Sequence, residues 1–475
     1  MLSRDLGADL RSQSENYGGP SNTHHAEAQN TYDVIIVGGG AAGIGAAVGA
    51  RQAVPASRIL IIESEGFLGG AGTHRGVNSF CGIYSVGPDP KRVVGKIWDD
   101  VHSRLVSVGA AAADPDQIVA LVQNFDPEGL KVALDDLTAD YSIDVLLHCT
   151  VVGGVREGTK LSAVIVQERR GRRNLFARAF VDCSGDGDLA YHGGASTRYG
   201  NHGRVNMGSL STRFGGLSGA TPTSSLWRDA ILAAKKVNPQ LEQRIPRNVG
   251  VLIKLPGSGD ICTYMASAQY DATSSASITA AERQGRKQAQ IYLSILRTLP
   301  GHENMTLVAT GPNFGTRESR HINSRHMLSE KDVLEQKEFG DTVAIGGWYM
   351  EWHDSSQPDW PIHFRTPPDG TFNIPLQSLQ SIDTVNLYCA GRCADGDGAA
   401  GSAIRVMGTA LATGQAAGAA AGLSAAGEGE AAAPDVRAVL LKHGAILDRT
   451  GLSTVCLKIR DDGKNLSHRE ALNGH

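Results

Sequence analysis

The sequence has few aromatic residues and no excess of charge of either sign. Phe, Trp and Tyr make up 5 % of the 475 residues, and 45 basic against 49 acidic side chains give a formal net charge of −4. Proteins that bind nucleic acids or anionic membranes by electrostatics need a strongly basic face, and here both signs are scattered along the chain. The sequence therefore predicts a protein with neither a nucleic-acid nor a membrane partner.

Cysteine is also sparse, with seven residues at positions 81, 149, 183, 262, 389, 393 and 456. An odd and dispersed set forms neither the disulfide framework of a small secreted protein nor a clustered metal site. Cys389 and Cys393 are four residues apart, but the residues between them favour a strand and a turn over a helix. We therefore expect free thiols, no metal and a reducing, cytoplasmic location.

The first thirty residues lack the apolar segment of a secretory signal and are rich in Ser, Asn, Gly and His. Asp5, Asp9 and Glu15 interrupt the few arginines, which argues against a transit peptide. Residues 1–30 are therefore predicted to be a disordered extension.

No stretch of the chain has the length and composition of a membrane span. The apolar run at residues 34–50 is short and more than half of it is glycine or alanine, whereas a span needs about 20 predominantly apolar residues. The same stretch follows the pattern of a βαβ unit. Residues 32–37 predict a buried parallel strand, residues 44–53 a helix, and residues 58–62 a second strand.

Between the first strand and the helix lies the motif G-x-G-x-x-G, at residues 38–43. Gly38 permits the tight turn, Gly40 lets backbone N–H groups approach a pyrophosphate, and Gly43 allows helix and strand to pack closely. The N-terminus of the helix adds positive potential. Glu63 ends the second strand twenty residues after Gly43, where a carboxylate suits a ribose 2′-hydroxyl. The pattern predicts a dinucleotide site, for NAD or FAD.

The residues after Glu63 decide between the two dinucleotides. Residues 63–73 follow the pattern E-x(5–6)-G-G-x-x-T, and the blocks at 180–190, 314–328 and 387–421 agree with it. In these blocks the chain resembles the FAD-dependent oxidoreductases of the two-dinucleotide-binding-domain type, which are distantly similar to the fumarate reductase and succinate dehydrogenase flavoproteins. The resemblance runs from about residue 32 to residue 425 and implies FAD as the cofactor.

The resemblance also implies FAD contacts at individual residues. With the first motif included, the expected contacts in the first part of the chain are Gly38, Gly40, Ala41, Ala42, Gly43, Glu63, Ser64, Gly69, Gly70, Thr73, His74, Arg75, Val152, Ser184, Gly185 and Asp188. In the C-terminal block they are Gly391, Arg392, Gly401, Ser402 and Ala403, with either Asp395 or Asp397 on the ribityl chain.

The C-terminal block has its own strand–turn–helix pattern. Residues 385–390 predict a buried strand, and a helix of small residues is predicted from about residue 404 to residue 422. We expect the N-terminus of this helix to face the flavin pyrimidine, where negative charge accumulates on reduction. Gly414, Gly418 and Gly422 recur every four residues, which predicts close packing against the helix at 44–53.

The predicted fold class is α/β: a Rossmann-like FAD-binding domain with a β-meander, and an inserted α+β substrate domain. The meander is expected at residues 150–180, and the basic residues at 168–173 are interpreted as a solvated hairpin tip. The predicted divisions are the extension at 1–30, the first part of the FAD-binding domain at 31–194, the substrate domain at 195–370 with a helix at about 275–298, the second part of the FAD-binding domain at 371–425, and a linker with a docking helix (435–447) at 426–475.

The predicted function is that of an FAD-dependent oxidase or dehydrogenase. The G-S-G at 257–259 lacks a third glycine and a helical continuation, so it does not predict a nicotinamide domain. We expect a small organic substrate to transfer a hydride to flavin N5, and O₂ or another acceptor to take the electrons. The expected context is specialised metabolism, and the sequence is compatible with a homo-oligomer. The alternative is a flavin-dependent monooxygenase that uses NAD(P)H and O₂.

Four residues are candidates for catalysis. Hydride removal needs a group that takes up a proton near neutral pH and a clamp for a carboxylate or enolate, for which His and Arg are suited. Arg317, Arg320 and His321 lie in the block that resembles the substrate region of the family. His353 lies among aromatic residues that suit a pocket wall. Ion pairs at the surface and a packed histidine are the structural alternatives.

Two residues near the expected flavin raise further chemistry. Flavoproteins of the succinate dehydrogenase type attach FAD covalently through a histidine, and His74 lies near the expected flavin. Residues 70–76 do not reproduce the attachment motif of that type, which favours non-covalent FAD. Cys81 has no C-x-x-C partner, so a buried structural thiol is favoured over a redox partner of the flavin.

Overall fold

The computed structural model of the protein describes residues 30–455, apart from residues 119, 355, 357, 360–364 and 428. The predicted extension at 1–30, except for Asn30, and the chain after residue 455 lie outside the described residues. The strands are β1 Thr31–Val37, β2 Ile59–Ile62, β3 Ser79–Phe80, β4 Asp116–Gln117, β5 Leu121–Asn124, β6 Asp144–Leu146, β7 Thr150–Glu157, β8 Lys160–Glu168, β9 Gly171–Asp182, β10 Thr197–Tyr199, β11 Gly208–Gly215, β12 Ile253–Lys254, β13 Ile261–Ala268, β14 Thr306–Thr310, β15 Arg320–Ile322, β16 Thr342–Gly346, β17 Phe372–Pro375 and β18 Leu387–Cys389.

The α-helices alternate with these strands along most of the chain. They are α1 Ala41–Ala53, α2 Lys96–Ser107, α3 Pro127–Asp140, α4 Asp188–His192, α5 Ser224–Val237, α6 Leu241–Arg244, α7 Ser275–Leu296, α8 Glu330–Leu334, α9 Gly398–Ile404, α10 Met407–Ala426 and α11 Ala433–Lys442. Short 3₁₀ turns are formed by Gly70–Gly72, Leu376–Leu379 and Gly391–Cys393.

The central sheet contains strands from both ends of the described chain. The β-branched residues of β1 are buried from Val34 onward, and β1 pairs with β2 in parallel, from Val34↔Ile59 to Val37↔Ile62. The strand order is β6-β2-β1-β9-β8-β7, and β18 pairs in parallel with β9. The C-terminal block therefore adds a strand to the sheet that the first part of the chain begins.

The predicted β-meander is formed by β7, β8 and β9, which pair antiparallel. Its basic hairpin tip turns at Gly171, whose φ of +118° lies in the region that favours glycine. Arg169 and Arg170 are exposed there, and Arg173 pairs with Glu168 at 2.6 Å. The hairpin tip is a solvated turn, as predicted.

The helix α10 is mostly buried because small residues bring it into backbone contact with α1. Carbon atoms added as Cβ at Gly414 and Gly418 would lie 2.0 and 1.8 Å from carbonyl oxygens of α1. In return, a Cβ at Gly45 or Gly49 would lie 2.2 or 2.0 Å from carbonyl oxygens of α10. The predicted packing of the two helices is confirmed.

Gly418→Ala is expected to destabilise the fold, because its Cβ would lie 1.8 Å from the carbonyl oxygen of Ala46 and the helices must separate. The expected loss is about 1–3 kcal/mol in the free energy of unfolding, measured by urea denaturation. Gly429→Ala is the control, since a Cβ there meets nothing within 4 Å. Equal denaturation midpoints for the two variants would contradict the proposed packing.

The C-terminal helix differs from the prediction at its start. A single helix from about residue 404 is wrong: α9 ends at Ile404, and α10 begins at Met407 after Val406, whose backbone is extended with φ −69° and ψ 150°. This break lets the Arg405 side chain reach Glu351, at 2.7 Å. Further on, α11 ends at Lys442, before Gly444 with φ +75°.

The apolar run at residues 34–50 forms most of β1, the glycine turn and the larger part of α1. Among the residues that the structure describes, no helix is long and apolar enough to cross a membrane.

Two large hydrophobic cores organise the chain. The first joins β1, β2 and α10 with residues of β15, β16 and β17. The second, around Phe214, Trp227 and Tyr292, lies where α5 and α7 pack on the antiparallel sheet β12-β13-β11-β14. β16 lies within the predicted substrate domain and β17 lies just after it, yet both contribute to the first core. The domain boundaries at residues 195 and 370 therefore stay a prediction.

Candidate functional site

A cavity opens at the carboxyl ends of four strands of the central sheet, next to the first turn of α10. Ligands of open α/β sheets bind at this edge. Most of the predicted cofactor residues line the cavity, namely Gly38, Gly40, Ala41, Ala42, Glu63, Ser64, Gly70, His74, Arg75, Ser184, Gly185, Asp188, Gly391 and Arg392.

Glycine stands at the three positions of the first motif for different physical reasons. Gly38 has φ +99°, and a Cβ there would lie 2.3 Å from the carbonyl oxygen of Cys183; a Cβ at Gly43 would lie 1.8 Å from that of Gly38. Gly40 has ordinary extended dihedrals (φ −73°, ψ −175°), and its Cβ would meet only Gly70 Cα, at 3.5 Å. The fold itself does not demand glycine at position 40. The open space lies at the N-terminus of α1, which fits a pyrophosphate.

Glu63 joins the first motif to the end of β2. Its Oε2 accepts the Gly39 N–H at 2.8 Å, and its Oε1 accepts the Glu65 N–H and the Ser64 hydroxyl, both at 3.1 Å. The carboxylate is buried against the cavity wall. Glu63 therefore lines the cavity, and its contact with a ribose hydroxyl stays a prediction.

A carboxylate between two guanidinium groups forms the middle of the cavity wall. Asp186 lies 3.5 Å from Arg75 and 3.2 Å from Arg392, and both arginines also donate to Thr316. Burial raises the pKa of Asp186, but Arg392 and Arg75 more than offset this and hold its pKa below the usual value. Asp186 is thus an ionised anchor that fixes both arginines at the wall.

Arg320 lies behind this wall and holds Asp188. Its Nη1 donates to Asp188 Oδ1 at 3.0 Å, and its guanidinium carbon lies 4.1 Å from the ring centroid of Tyr191. Burial, followed by Asp186 and Asp182, raises the pKa of Asp188 to about 6 although Arg320 lowers it. The structure therefore gives Arg320 a positioning contact, and the expectation that it contacts substrate is not supported by the geometry.

Four predicted cofactor residues shape the site without lining it. Gly43 serves helix packing, while Gly69 (φ +114°) packs on Thr73, whose hydroxyl donates to the Leu68 carbonyl at 2.8 Å. On β7, the adjacent residues Thr150 and Val151 both line the cavity, and Val152 does not. The cofactor contact predicted for Val152 stays a prediction.

Neither aspartate predicted for the ribityl chain lines the cavity. Asp395 is buried, pairs with Arg198 at 2.8 Å and accepts both the N–H and the hydroxyl of Ser324 at 3.0 Å. Asp397 caps α9 by accepting two N–H groups of its first turn, at 3.0 and 2.9 Å. Both carboxylates are engaged by groups of the protein, so the geometry does not support the contact predicted for either aspartate.

The residues predicted at 401–403 belong to α9 and are buried away from the cavity. The Ser402 hydroxyl donates to the Ala399 carbonyl at 2.7 Å and accepts the Glu351 N–H at 2.8 Å, and Gly401 and Ala403 are packed inside. Gly401, Ser402 and Ala403 do not line the cavity, because residues 398–404, expected to be a glycine-rich turn, form a separate helix.

Several residues that line the cavity were not predicted. They are, among others, Glu65, Cys149, Asp186, Asn313, Arg405 and Met407. Asp186 has a sequence signal, since it is the first aspartate of the G-D-G-D at 185–188. Asn313 has none, because it reaches the site by donating to Glu65 at 2.8 Å across 248 positions of sequence.

His321 is buried, has a hydrogen-bond partner at each ring nitrogen, and does not line the cavity. Its Nδ1 is 2.9 Å from the Ala394 carbonyl oxygen and its Nε2 is 3.1 Å from Glu318. Burial raises the pKa of Glu318, but His321 and Asn206 hold it below the usual value. The pair connects β15 to the C-terminal block, so the geometry does not support a direct catalytic role for His321.

Arg405 links the cavity to a group of buried charges that we call the Arg405 cluster: Arg247, Arg317, Glu351, His353 and Arg405. Arg405 donates to Glu351 at 2.7 Å, His353 Nε2 lies 3.5 Å from Glu351, and Arg247 lies 3.4 Å from His353 Nδ1. Because arginine only donates, His353 Nδ1 accepts and Nε2 carries the proton that faces Glu351. The cluster contains two of the predicted catalytic residues, Arg317 and His353.

Burial and the neighbouring charges shift the pKa values in this cluster. Burial, followed by Arg317, lowers the pKa of His353 to about 3. Burial raises the pKa of Glu351, but His353, Arg405 and Arg317 together lower it to about 2. Burial, followed by Arg405 and Arg247, lowers the pKa of Arg317 to about 9. In the structure, Glu351 is therefore ionised and His353 neutral near pH 7.

A neutral buried histidine predicts a pH dependence of stability. Between pH 6.5 and pH 4.5 the unfolded state binds a proton at His353 that the native state does not, so stability falls as the pH falls. His353→Gln is expected to remove on the order of 2 kcal/mol of this decline, measured by urea denaturation at the two pH values. The same decline in both proteins would show that His353 is not buried as a neutral group.

His74 and Cys81 lie close to the cavity wall. His74 lines it and has its Nε2 2.7 Å from the Phe67 carbonyl oxygen. Cys81 is a free thiol, and burial followed by Glu351 raises its pKa. A protonated thiol is a poor nucleophile, which agrees with the structural role predicted for Cys81.

The parallel sheet, the glycine turn at its edge and the carboxylate after β2 define a dinucleotide-binding α/β protein. The sequence model of the family described as FAD dependent oxidoreductase matches residues 33–440. The chain belongs to this family and is an FAD-dependent oxidoreductase, which confirms the predicted cofactor and class of enzyme. Comparison with curated proteins gives no match.

Solved structures of flavoenzymes are similar to the chain at low sequence identity. A geranylgeranyl bacteriochlorophyll reductase-like protein from Thermoplasma acidophilum is 13% identical over 87% of this chain and 82% of its own, with a TM-score of 0.44. A flavin-dependent brominase is 11% identical over 87% and 82%, with a TM-score of 0.43. The anhydrotetracycline hydroxylase of Streptomyces rimosus is 12% identical over 62% and 54%, with a TM-score of 0.36.

Proposed function

We propose that the protein oxidises a small organic substrate that itself reduces the FAD, and that O₂ or another acceptor then takes the electrons. The observation that carries the proposal is the continuity of the cofactor cavity with the Arg405 cluster, through the side chain of Arg405. In this proposal Arg405, which lines the cavity, is the cationic group of the cluster nearest to the cofactor. A bound flavin supplies the hydride acceptor.

The other residues of the site have separate roles in cofactor binding and substrate orientation, which follow from their positions. The N-terminus of α1 and the open space at Gly40 suit the pyrophosphate, and Glu63 suits the ribose. Asp186 holds Arg75 and Arg392 at the wall. Glu351 fixes the orientation of Arg405, and His353 supports Glu351 from behind. Arg405 and Arg317 are the groups that we assign to substrate orientation.

The conformation of the G-S-G segment supports reduction by the substrate over reduction by NAD(P)H. Leu255 donates to the Asp260 carbonyl at 2.8 Å, and Gly257 and Gly259 have φ of +78° and +72°. The segment is a turn between the antiparallel strands β12 and β13, and β13 follows it directly. Its glycines serve a hairpin. The alternative is a flavin-dependent monooxygenase that takes its electrons from NAD(P)H.

Anaerobic stopped-flow absorbance tests the proposal. The oxidised holoenzyme is mixed with NADPH or NADH, and separately with a panel of small alcohols, amines and carboxylic acids, while the visible flavin band is recorded. We expect the nicotinamides to leave the band unbleached on the time scale of turnover and a member of the panel to bleach it. Rapid bleaching by NADPH alone would overturn the proposal and favour the monooxygenase.

A further inference from the structure

The cofactor cavity ends at a group of buried charges whose signs do not balance. We propose that Arg317 and Arg405 bind an anionic oxygen of the substrate, with an apolar body of the same molecule against the neighbouring aromatic wall. The carboxylate of an organic acid and the oxygen of an enolate or phenolate share this chemistry. That the ligand is the substrate rests on the proposed function; that the site binds an anion rests on the structure alone.

The first support is the lack of a carboxylate for Arg317. Its Nη1 donates to the Met207 carbonyl, and among the residues that the structure describes no Asp or Glu oxygen lies within 4.0 Å of its guanidinium. Arg405 has Glu351 as its ion-pair partner, but its Nε is buried without a hydrogen-bond partner in the same described set. Two neighbouring guanidinium groups therefore share one carboxylate.

The other charges around the cluster do not correct this imbalance. Asp354 and Asp359 act on Arg247, while Asp354 also faces Arg204 at 3.9 Å and Asp359 accepts from Asn248. The charged groups that act most strongly on Arg317 are Arg405, Arg247 and Glu351. A buried charge without a partner is unfavourable, and the pKa of Arg317, which burial and then the other arginines lower to about 9, reflects this cost. A bound anion relieves it.

The second support is a buried apolar cluster next to Arg405. Val406, the next residue, belongs to an apolar cluster with Trp348 and Tyr349, whose rings meet edge to face with centroids 5.4 Å apart. The indole N–H of Trp348 is buried and has no hydrogen-bond partner among the described residues. An amphipathic molecule fits this arrangement: its anionic end pairs with the two guanidinium groups, and its aromatic or aliphatic body packs against the aromatic side chains.

The test uses the oxidised holoenzyme without turnover and two probes of one shape, benzoate and its neutral isostere benzamide. Binding is followed by the perturbation of the visible flavin band and by the shift of the unfolding temperature. We expect wild-type protein to bind benzoate at least about ten-fold more tightly than benzamide. Arg317→Gln is expected to lose this preference at unchanged FAD content, and Arg317→Lys, which keeps the charge without the planar fork, to keep part of it.

Arg213→Gln is the matched control, because Arg213 lies on β11 and is paired with Asp260 at 2.6 Å. It is expected to bind both probes as the wild type does. Equal binding of benzoate and benzamide, or no saturable response to benzoate, overturns the proposal from the wild type alone, even where Arg317→Gln fails to fold. Benzoate binding that Arg317→Gln leaves unchanged overturns it as well. Reduction by NADPH would refute the proposed reaction and leave this result standing.

Discussion

Gly40→Val is expected to give a folded protein that does not retain FAD. The backbone at Gly40 is ordinary for any residue, and a Cβ there meets only Gly70 Cα at 3.5 Å. The valine methyl groups must then occupy the space over the N-terminus of α1 that a pyrophosphate needs. We expect FAD affinity to fall at least about 100-fold, which corresponds to about 2.7 kcal/mol, measured by titration of the FAD-free protein.

Gly40→Ala serves as the graded control, because it places one carbon in the same space and is expected to lose less affinity than Gly40→Val. Far-UV circular dichroism and urea denaturation of the FAD-free proteins check that both variants fold like the wild type. A Gly40→Val protein with the full flavin content of the wild type would contradict the position assigned to the pyrophosphate.

Gly38→Ala is expected to damage the fold itself, two residues away in the same motif. Gly38 has φ +99°, and its Cβ would lie 2.3 Å from the carbonyl oxygen of Cys183, in the turn that follows β9. Backbone strain and overpacking each cost about 1–3 kcal/mol, so we expect a loss of about 3 kcal/mol or more in the free energy of unfolding. Urea denaturation without FAD measures it.

Gly171→Ala is the matched control for backbone strain. Gly171 has φ +118° at a hairpin tip, and a Cβ there meets nothing within 4 Å. This variant carries the strain without the collision and is expected to lose about 1 kcal/mol. If Gly38→Ala costs no more than Gly171→Ala, the close approach of the first motif to Cys183 is wrong.

The residues that the sequence predicts correctly act over short distances. The turn at Gly38, the packing of Gly43 on it and the carboxylate of Glu63 all lie within one βαβ unit, whose strands and helix are visible in the residue pattern. The spacing of Gly414 and Gly418 predicts their helix partner for a similar reason, since a bare helix face needs another close backbone.

The errors come from contacts between distant segments. The break at Arg405 and Val406 has no Pro or Gly to mark it; Arg405 is held by Glu351, 54 positions earlier, and Gly408 N–H by the Cys81 carbonyl. The side chain of Asp395 does not lie at the predicted site because it pairs with Arg198, which is 197 positions away in the sequence. Local propensity carries no information on such partners.

The structure also changes the ranking of the catalytic candidates. Arg317, Arg320 and His321 are close in sequence, but their side chains make different contacts. Arg320 holds Asp188, and His321 holds Glu318. Arg317 instead joins the Arg405 cluster with His353. Proximity in sequence located the region, and the tertiary contacts selected the residues.

The most direct test of the account is the visible spectrum of the purified protein before and after acid precipitation. The account predicts a yellow protein with an oxidised-flavin spectrum, and FAD released into the acid supernatant, because residues 70–76 do not reproduce a covalent attachment motif and we expect FAD to be bound without a covalent bond. A colourless protein that binds no FAD when it is supplied in excess would contradict the central claim.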